Sequence, residues 1–267
     1  MNNRTVSLLA AAALALLCAP AAASSGDLRL EPAPINRLDV PSLQRGARTF
    51  VNYCLNCHSA KSMRYNRLTD IGVDESMIRD NLMFATDKIG ETMTVAMNTQ
   101  DAKAWFGAPP PDLTVIARVR GADWLYNYFL GFYRDDAAAS GWNNLVFPNV
   151  GMPHVLWRYS GTNRLVSTEF EDVEKAHAEA IAVKGLALLA PAADHKYVVE
   201  TVAVDTPGTL TPAEYKVMVA DLVNYLDYMA EPVKNKRISL GLIALLYFGL
   251  LFVFAYWLKR EYWKDIH

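Results

Sequence analysis

The stretch Cys54-Leu55-Asn56-Cys57-His58 decides how the rest of this 267-residue chain is read. Two thiols three positions apart, followed at once by an imidazole, form the C-x-x-C-H pattern of covalent haem attachment. Each thiol can add across one vinyl group and leave a thioether. The adjoining His is then held beneath the iron as its proximal ligand. A bare C-x-x-C also suits redox or zinc chemistry. The His directly after it, in an exported chain, favours one covalently bound haem c held by Cys54, Cys57 and His58.

Export is read from the other end of the sequence. Residues 1–23 form a secretory signal: Arg4 gives the positive start, residues 7–17 the apolar core, and Ala21-Ala22-Ala23 a small-residue cleavage site. The core is too short to span a membrane. Cys18 lies inside the signal, just after that core, without the small preceding residue that a lipoprotein signal needs, so it is expected to be discarded. Cys54 and Cys57 are then the only cysteines of the mature chain, and stability must come from burial and the haem rather than cross-links. Without the signal, 25 basic residues face 28 acidic ones, with no basic stripe, so no nucleic-acid partner is expected.

Residues 238–258 are uncharged and almost wholly apolar. About 21 residues at ~1.5 Å each cover ~30 Å, the hydrocarbon thickness of a bilayer. Tyr256, Trp257, Tyr262 and Trp263 supply an interfacial belt, and basic residues flank both ends. The expected organisation is therefore a signal (1–23), a periplasmic haem domain (24–232), a linker and transmembrane anchor (233–258) and a cytoplasmic tail (259–267). That corresponds to a single-pass protein of a bacterial inner membrane.

Between these ends the pattern is mainly helical. Residues 24–41 read as extended. Leu43, Ala47, Phe50 and Val51 share one face of a helix over 42–53, with Gly46 beside that face. Residues 61–66 read as a loop, and 75–83 and 87–97 as weakly helical. Ala108-Pro109-Pro110-Pro111-Asp112-Leu113-Thr114 must be extended, with Asp112 or Thr114 capping a short helix over 113–118. Trp124, Tyr128 and Phe132 recur every four residues on a helix over 124–133, a stripe that suits core packing and a haem wall alike. Residues 137–150 read as loop, 162–168 as polar and irregular, 173–183 as helix and 197–204 as strand. Thr211-Pro212-Ala213-Glu214 opens the last helix with a capping box, and Tyr215, Met218, Leu222, Tyr225 and Met229 follow at helical spacing. Gly46 on the first helix and Tyr225 on the last would suit a close crossing.

A six-coordinate iron needs a second donor. Met218 and Met229 lie on the last helix's apolar face. Met63 is too near His58 in sequence to reach the opposite side. Met83, Met93 and Met97 have no distinguishing context. Met152, in Phe147-Pro148-Asn149-Val150-Gly151-Met152-Pro153-His154, would present its thioether from a stiff Pro- and Gly-flanked loop, with His154 as the rival donor. Arg118 and Arg120 are candidates to neutralise haem propionates, because guanidinium forks match carboxylates.

These motifs occur together in one family. The haem motif, the 108–114 proline stretch, Arg120-Gly121-Ala122-Asp123-Trp124-Leu125-Tyr126, Gly131-Phe132-Tyr133, the Met152 loop, Asp221-Leu222-Val223-Asn224-Tyr225-Leu226 and Met229-Ala230-Glu231-Pro232 resemble the cytochrome c1 family, the haem subunits of the cytochrome bc1 complex. The resemblance implies a mainly α, class I cytochrome c-like fold with insertions, plus the C-terminal transmembrane helix. It implies Met152 as distal ligand opposite His58, and Arg118 against a propionate. It implies electron transfer from a Rieske iron–sulfur protein to a soluble acceptor such as cytochrome c, with the anchor beside cytochrome b. The chain is then the electron-transfer subunit of a quinol–cytochrome c reductase, without a catalytic site of its own. Two rivals stand beside this reading: a monohaem anchor subunit of a terminal oxidase or nitric oxide reductase, and a thiol–disulfide exchanger using Cys54 and Cys57.

Overall fold

The computed structural model describes residues 27–264, apart from 96, 184, 193 and 195. The expected signal and the end of the tail lie outside the described residues. A short strand, β1 (Asp27–Arg29), leads into an extended segment and then α1 (Val40–Thr49). Asp39 caps α1 by accepting the Ser42 amide at 3.0 Å, and Pro41 sits in the first turn, where a missing N–H costs nothing. The helix then widens into a π-helical turn, Phe50–Cys54, closed by Leu55 N donating to Phe50 O at 3.0 Å. The extra residue in that turn brings Cys54 inward, and the amides of Cys57 and His58 both close onto Cys54 O.

The haem motif is followed by β2 (Ala60–Arg64) and a 3₁₀ segment, Tyr65–Ile71, where a loop is expected. The polar Lys61 and Ser62 hide the strand, because its pairing with β3 (Thr92–Met93) is made by backbone and buries only Ala60 and Met63 fully. Between them lies α2 (Glu75–Asn81). The weak helix expected over 87–97 does not form. The helix comes later, α3 (Thr99–Phe106), capped by Asn98 accepting the Asp101 amide at 2.8 Å. After the proline run come α4 (Ile116–Arg120) and α5 (Ala122–Leu130). Gly131 ends α5 before the expected 133, and the chain turns into the hairpin β4 (Phe132–Arg134) and β5 (Trp142–Asn144).

A one-turn helix, α6 (Trp157–Ser160), precedes β6 (Gly161–Phe170). The sheet continues through β7 (Ala187–Pro191) and β8 (Tyr197–Pro207), with α7 (Val173–Ala182) packed on it. All pairings are antiparallel in the order β1-β7-β8-β6. Residues 162–168, expected to be irregular, are therefore strand. Their polar side chains remain partly exposed, and their partners, from Val199 opposite Thr168 to Thr206 opposite Thr162, lie 31 to 44 positions on. Arg29 holds the unit together by donating to the Ala180 carbonyl at 2.8 Å, near the end of α7.

The last soluble helix, α8 (Pro212–Ala230), starts with the expected capping box: Glu214 N donates to Thr211 Oγ1 and Thr211 N to Glu214 Oε2. It crosses α1 so closely that a Cβ added to Gly46 would lie 2.0 Å from the Asp221 carbonyl oxygen. Arg45 pairs bidentately with Asp221 at 2.6 and 2.9 Å on the same crossing. Around it, Leu43, Phe50, Leu222, Tyr225 and Leu226 are buried in the main core. Three residues later α9 (Lys234–Tyr262) begins; it is long and apolar enough to cross a membrane, with mean hydropathy 2.5 over its central part.

Candidate haem site

Cys54, Cys57, His58 and Met152 line one cavity of about 400 Å³. Its walls are apolar: Pro109, Pro110 and Pro111, Leu113, Trp124, Tyr128, Phe129 and Leu226. The volume suits an enclosed cofactor, for which ~300–1,000 Å³ is usual. A larger groove of about 710 Å³ runs between α1 and α8, but Arg45, Arg48, Glu214 and Asp221 line it and neither cysteine reaches it. The chemistry lies with the smaller cavity.

The three-proline run places the Pro111 carbonyl 2.7 Å from His58 Nδ1. A carbonyl only accepts, so Nδ1 carries the proton and Nε2 keeps its lone pair for a metal. Burial lowers the His58 pKa, opposed by that hydrogen bond and by Asp112, so the ring is neutral at pH 7. Asp112 pins the run by accepting the amides of Lys61 at 2.8 Å and Thr114 at 2.9 Å. Burial raises the thiol pKa of both cysteines, Cys54 to about 12 with a further contribution from Cys57. A thiol–disulfide exchanger needs the opposite shift.

The Met152 loop lines the same cavity as the motif. Asn143 Oδ1 accepts the Asn149 amide at 2.8 Å, and Asn144 Oδ1 accepts those of Val146 and Phe147. Asn149 takes a left-handed conformation, φ 60°, which asparagine tolerates. A Cβ at Gly151 would come within 3.0 Å of the Phe106 carbonyl, so glycine lets the loop pass. Tyr128 Oη donates to Met152 Sδ at 3.3 Å. His154, the rival donor, does not line the cavity; its Nε2 lies 2.8 Å from Ser160 Oγ and its ring stacks on Phe132. Met63, Met93 and Met229 are buried in the core, and Met218 lines the other groove.

The two arginines separate. Arg120 lines the cavity, its guanidinium 4.9 Å above the Trp124 ring. Arg118, exposed like Arg120, does not line it; its charge is one of those holding the Glu231 carboxyl below its usual range, after the hydrogen bond from Arg237. The Tyr128 hydrogen bond to Met152 and the roles of Asn143, Asn144 and the Pro111 carbonyl go unread in the sequence. The polar Asn143-Asn144 pair before an apolar loop offers a hint to the loop's anchoring.

The donor set fits a covalently bound haem. Two cysteines, an imidazole whose Nε2 keeps its lone pair, and a thioether line one apolar cavity. Fold and site define a membrane-anchored c-type cytochrome. The profile of the Cytochrome C1 family matches residues 31–203 and 206–266. A protein of Allochromatium vinosum named cytochrome c1 is 44% identical over 94% of this chain and 96% of its own. One of Nitrosomonas europaea named ammonia monooxygenase gamma subunit is 46% identical over 95% and 97%. A Rhodospirillum rubrum cytochrome c1 is 26% identical over 86% and 84%. The chain belongs to the cytochrome c1 family. It has a class I cytochrome c-like domain with insertions, carries one covalently attached haem c, and transfers electrons.

Proposed function

We propose that the chain is the haem subunit of a quinol-oxidising cytochrome bc1 complex, taking single electrons from a Rieske iron–sulfur protein and passing them to a soluble acceptor such as cytochrome c. The observation that carries this is that one apolar cavity is lined by Cys54, Cys57, His58 and the Met152 thioether, with His58 Nε2 left for a metal by the Nδ1 bond to Pro111. When bound, haem c supplies a one-electron couple at iron. Cys54 and Cys57 would hold it through thioethers, and His58 and Met152 would supply the imidazole and thioether donors to its iron. Arg118 is assigned to a propionate by the family resemblance, and Arg120 by its place on the cavity wall. With donors from both His58 and Met152, the iron would pass electrons and the subunit would have no catalytic site of its own.

Residues 1–23 act as the signal, 24–232 as the haem domain in the periplasm, 233–258 as linker and anchor beside cytochrome b, and 259–267 as the cytoplasmic tail. The length and hydropathy of α9 support the anchor. The near full-length family match speaks against an oxidase or nitric oxide reductase subunit. Purification of the native assembly tests the reading: cytochrome b and a Rieske protein should accompany the chain, and quinol should reduce its haem. Finding a copper or non-haem iron oxidase in their place would overturn it.

A further inference from the structure

His154 is among the most enclosed polar residues of the chain, 2% exposed. Its ring lies in an aromatic box: stacked on Phe132 at 4.7 Å and 8°, and met edge-on by Trp142 at 5.2 Å and Tyr215 at 6.4 Å. Its Nε2 is 2.8 Å from Ser160 Oγ, and that hydroxyl donates its own proton to Gly161 O at 2.8 Å. A carbonyl only accepts, so Nε2 of His154 is the donor to Ser160. The box draws on β4, β5 and α8, and the hydrogen bond on the α6–β6 junction.

Only Pro153 separates this ring from Met152. Its pyrrolidine locks φ near −65° and restricts the residue before it. A displacement of the imidazole is therefore carried to the Met152 sulfur instead of being absorbed by the loop. On the other flank the loop is fixed by Asn143 and Asn144. The sulfur hangs between two anchored points.

We propose that His154 is a positioning residue for the Met152 thioether: its hydrogen bond to Ser160, made inside the aromatic box, latches the loop so that the sulfur stays directed into the haem cavity. This rests on the reading of Met152 as ligand. An apolar ring would fill the box equally well but could rotate in it, and the loop would lose its polar fixed point.

The test uses the full-length, haem-loaded chain in detergent, as wild type, His154→Phe, His154→Gln and Ser160→Ala. Covalent haem content, the near-infrared sulfur-to-iron band of the oxidised protein and the rate of cyanide binding to it are read together. His154→Phe should keep its haem, weaken the band and bind cyanide about five- to tenfold faster, matching the net contribution of one hydrogen bond. His154→Gln, whose amide can still donate to Ser160, should recover part of the band, and Ser160→Ala should resemble the Phe variant. His154→Phe with an unchanged band and cyanide rate overturns the latch. If that variant fails to accumulate, Ser160→Ala with both unchanged does the same. A wild-type protein without the band overturns the Met152 ligand reading instead, so the two failures are distinguishable.

Discussion

His58 donates through Nδ1 to the Pro111 carbonyl oxygen at 2.7 Å, so the imidazole beside the second thiol is oriented by the last residue of the proline run. Such a bond makes the imidazole a stronger donor to a metal and favours the oxidised state. Asp112, next in the chain, is the handle on it. Asp112→Ala should loosen the Pro111 carbonyl and raise the reduction potential in a redox titration. An unchanged potential would mean that the prolines hold the carbonyl unaided.

The same side chain sets a pH dependence. Burial raises the Asp112 pKa, but hydrogen bonds from Thr114 and Lys61 outweigh it and leave the carboxyl below its ordinary 3.8. A depressed folded pKa contributes stability above the unfolded value, lost as pH falls through the folded one. Wild type should therefore exceed Asp112→Ala in thermal stability at about pH 6, and the difference should shrink as pH falls below 3.8. Unfolding followed at the Soret band across that range checks it. A constant difference would show that the carboxylate's charge does not matter.

Met152→Leu should abolish the near-infrared band of the oxidised protein and lower its potential, because the thioether favours the reduced state. A surviving band would show that another residue binds the iron.

Arg118 and Arg120 are distinguished by single Gln variants. Loss of a positive charge near the cofactor disfavours its reduction and lowers the potential. Arg120→Gln, on the cavity wall, should shift it further than Arg118→Gln, outside the cavity lining and near Glu231. The reverse order would return the propionate to Arg118.

Gly46→Ala would push a Cβ to 2.0 Å from the Asp221 carbonyl and 2.7 Å from Tyr225 Cβ. The crossing of α1 and α8 must open, destabilising the domain by about 1–3 kcal/mol, as overpacking usually does. Denaturant unfolding of the purified chain measures it. Wild-type stability would mean that the two helices can separate freely.

What the sequence made legible is what short-range chemistry determines. The haem motif, the Thr211–Glu214 box, the anchor and the Gly46–Tyr225 crossing each follow from a few neighbouring residues or one repeating face. The sheet was half hidden. Polar β6 declares itself only through β8, whose pairing residues arrive 27 to 46 positions later. Helix α3 has only Ala102 buried, so no apolar face announces it. Arg118 and Arg120 look equivalent in sequence, yet positions two apart on a helix point to nearly opposite sides. Tyr128 is both things its stripe allowed. It stacks on Trp124 at 5.1 Å within the packed interior, and its hydroxyl reaches the Met152 sulfur.

The chain between α8 and α9 is only Glu231, Pro232 and Val233, and Arg37 grips its start by donating to the Glu231 carbonyl at 2.7 Å. Even fully drawn out, three residues reach about 11 Å. On so short a leash the redox centre stays at the bilayer surface and cannot commute. Any long-range delivery of charge must then be made by mobile partners that visit it, and the speed of the relay is set by their travel.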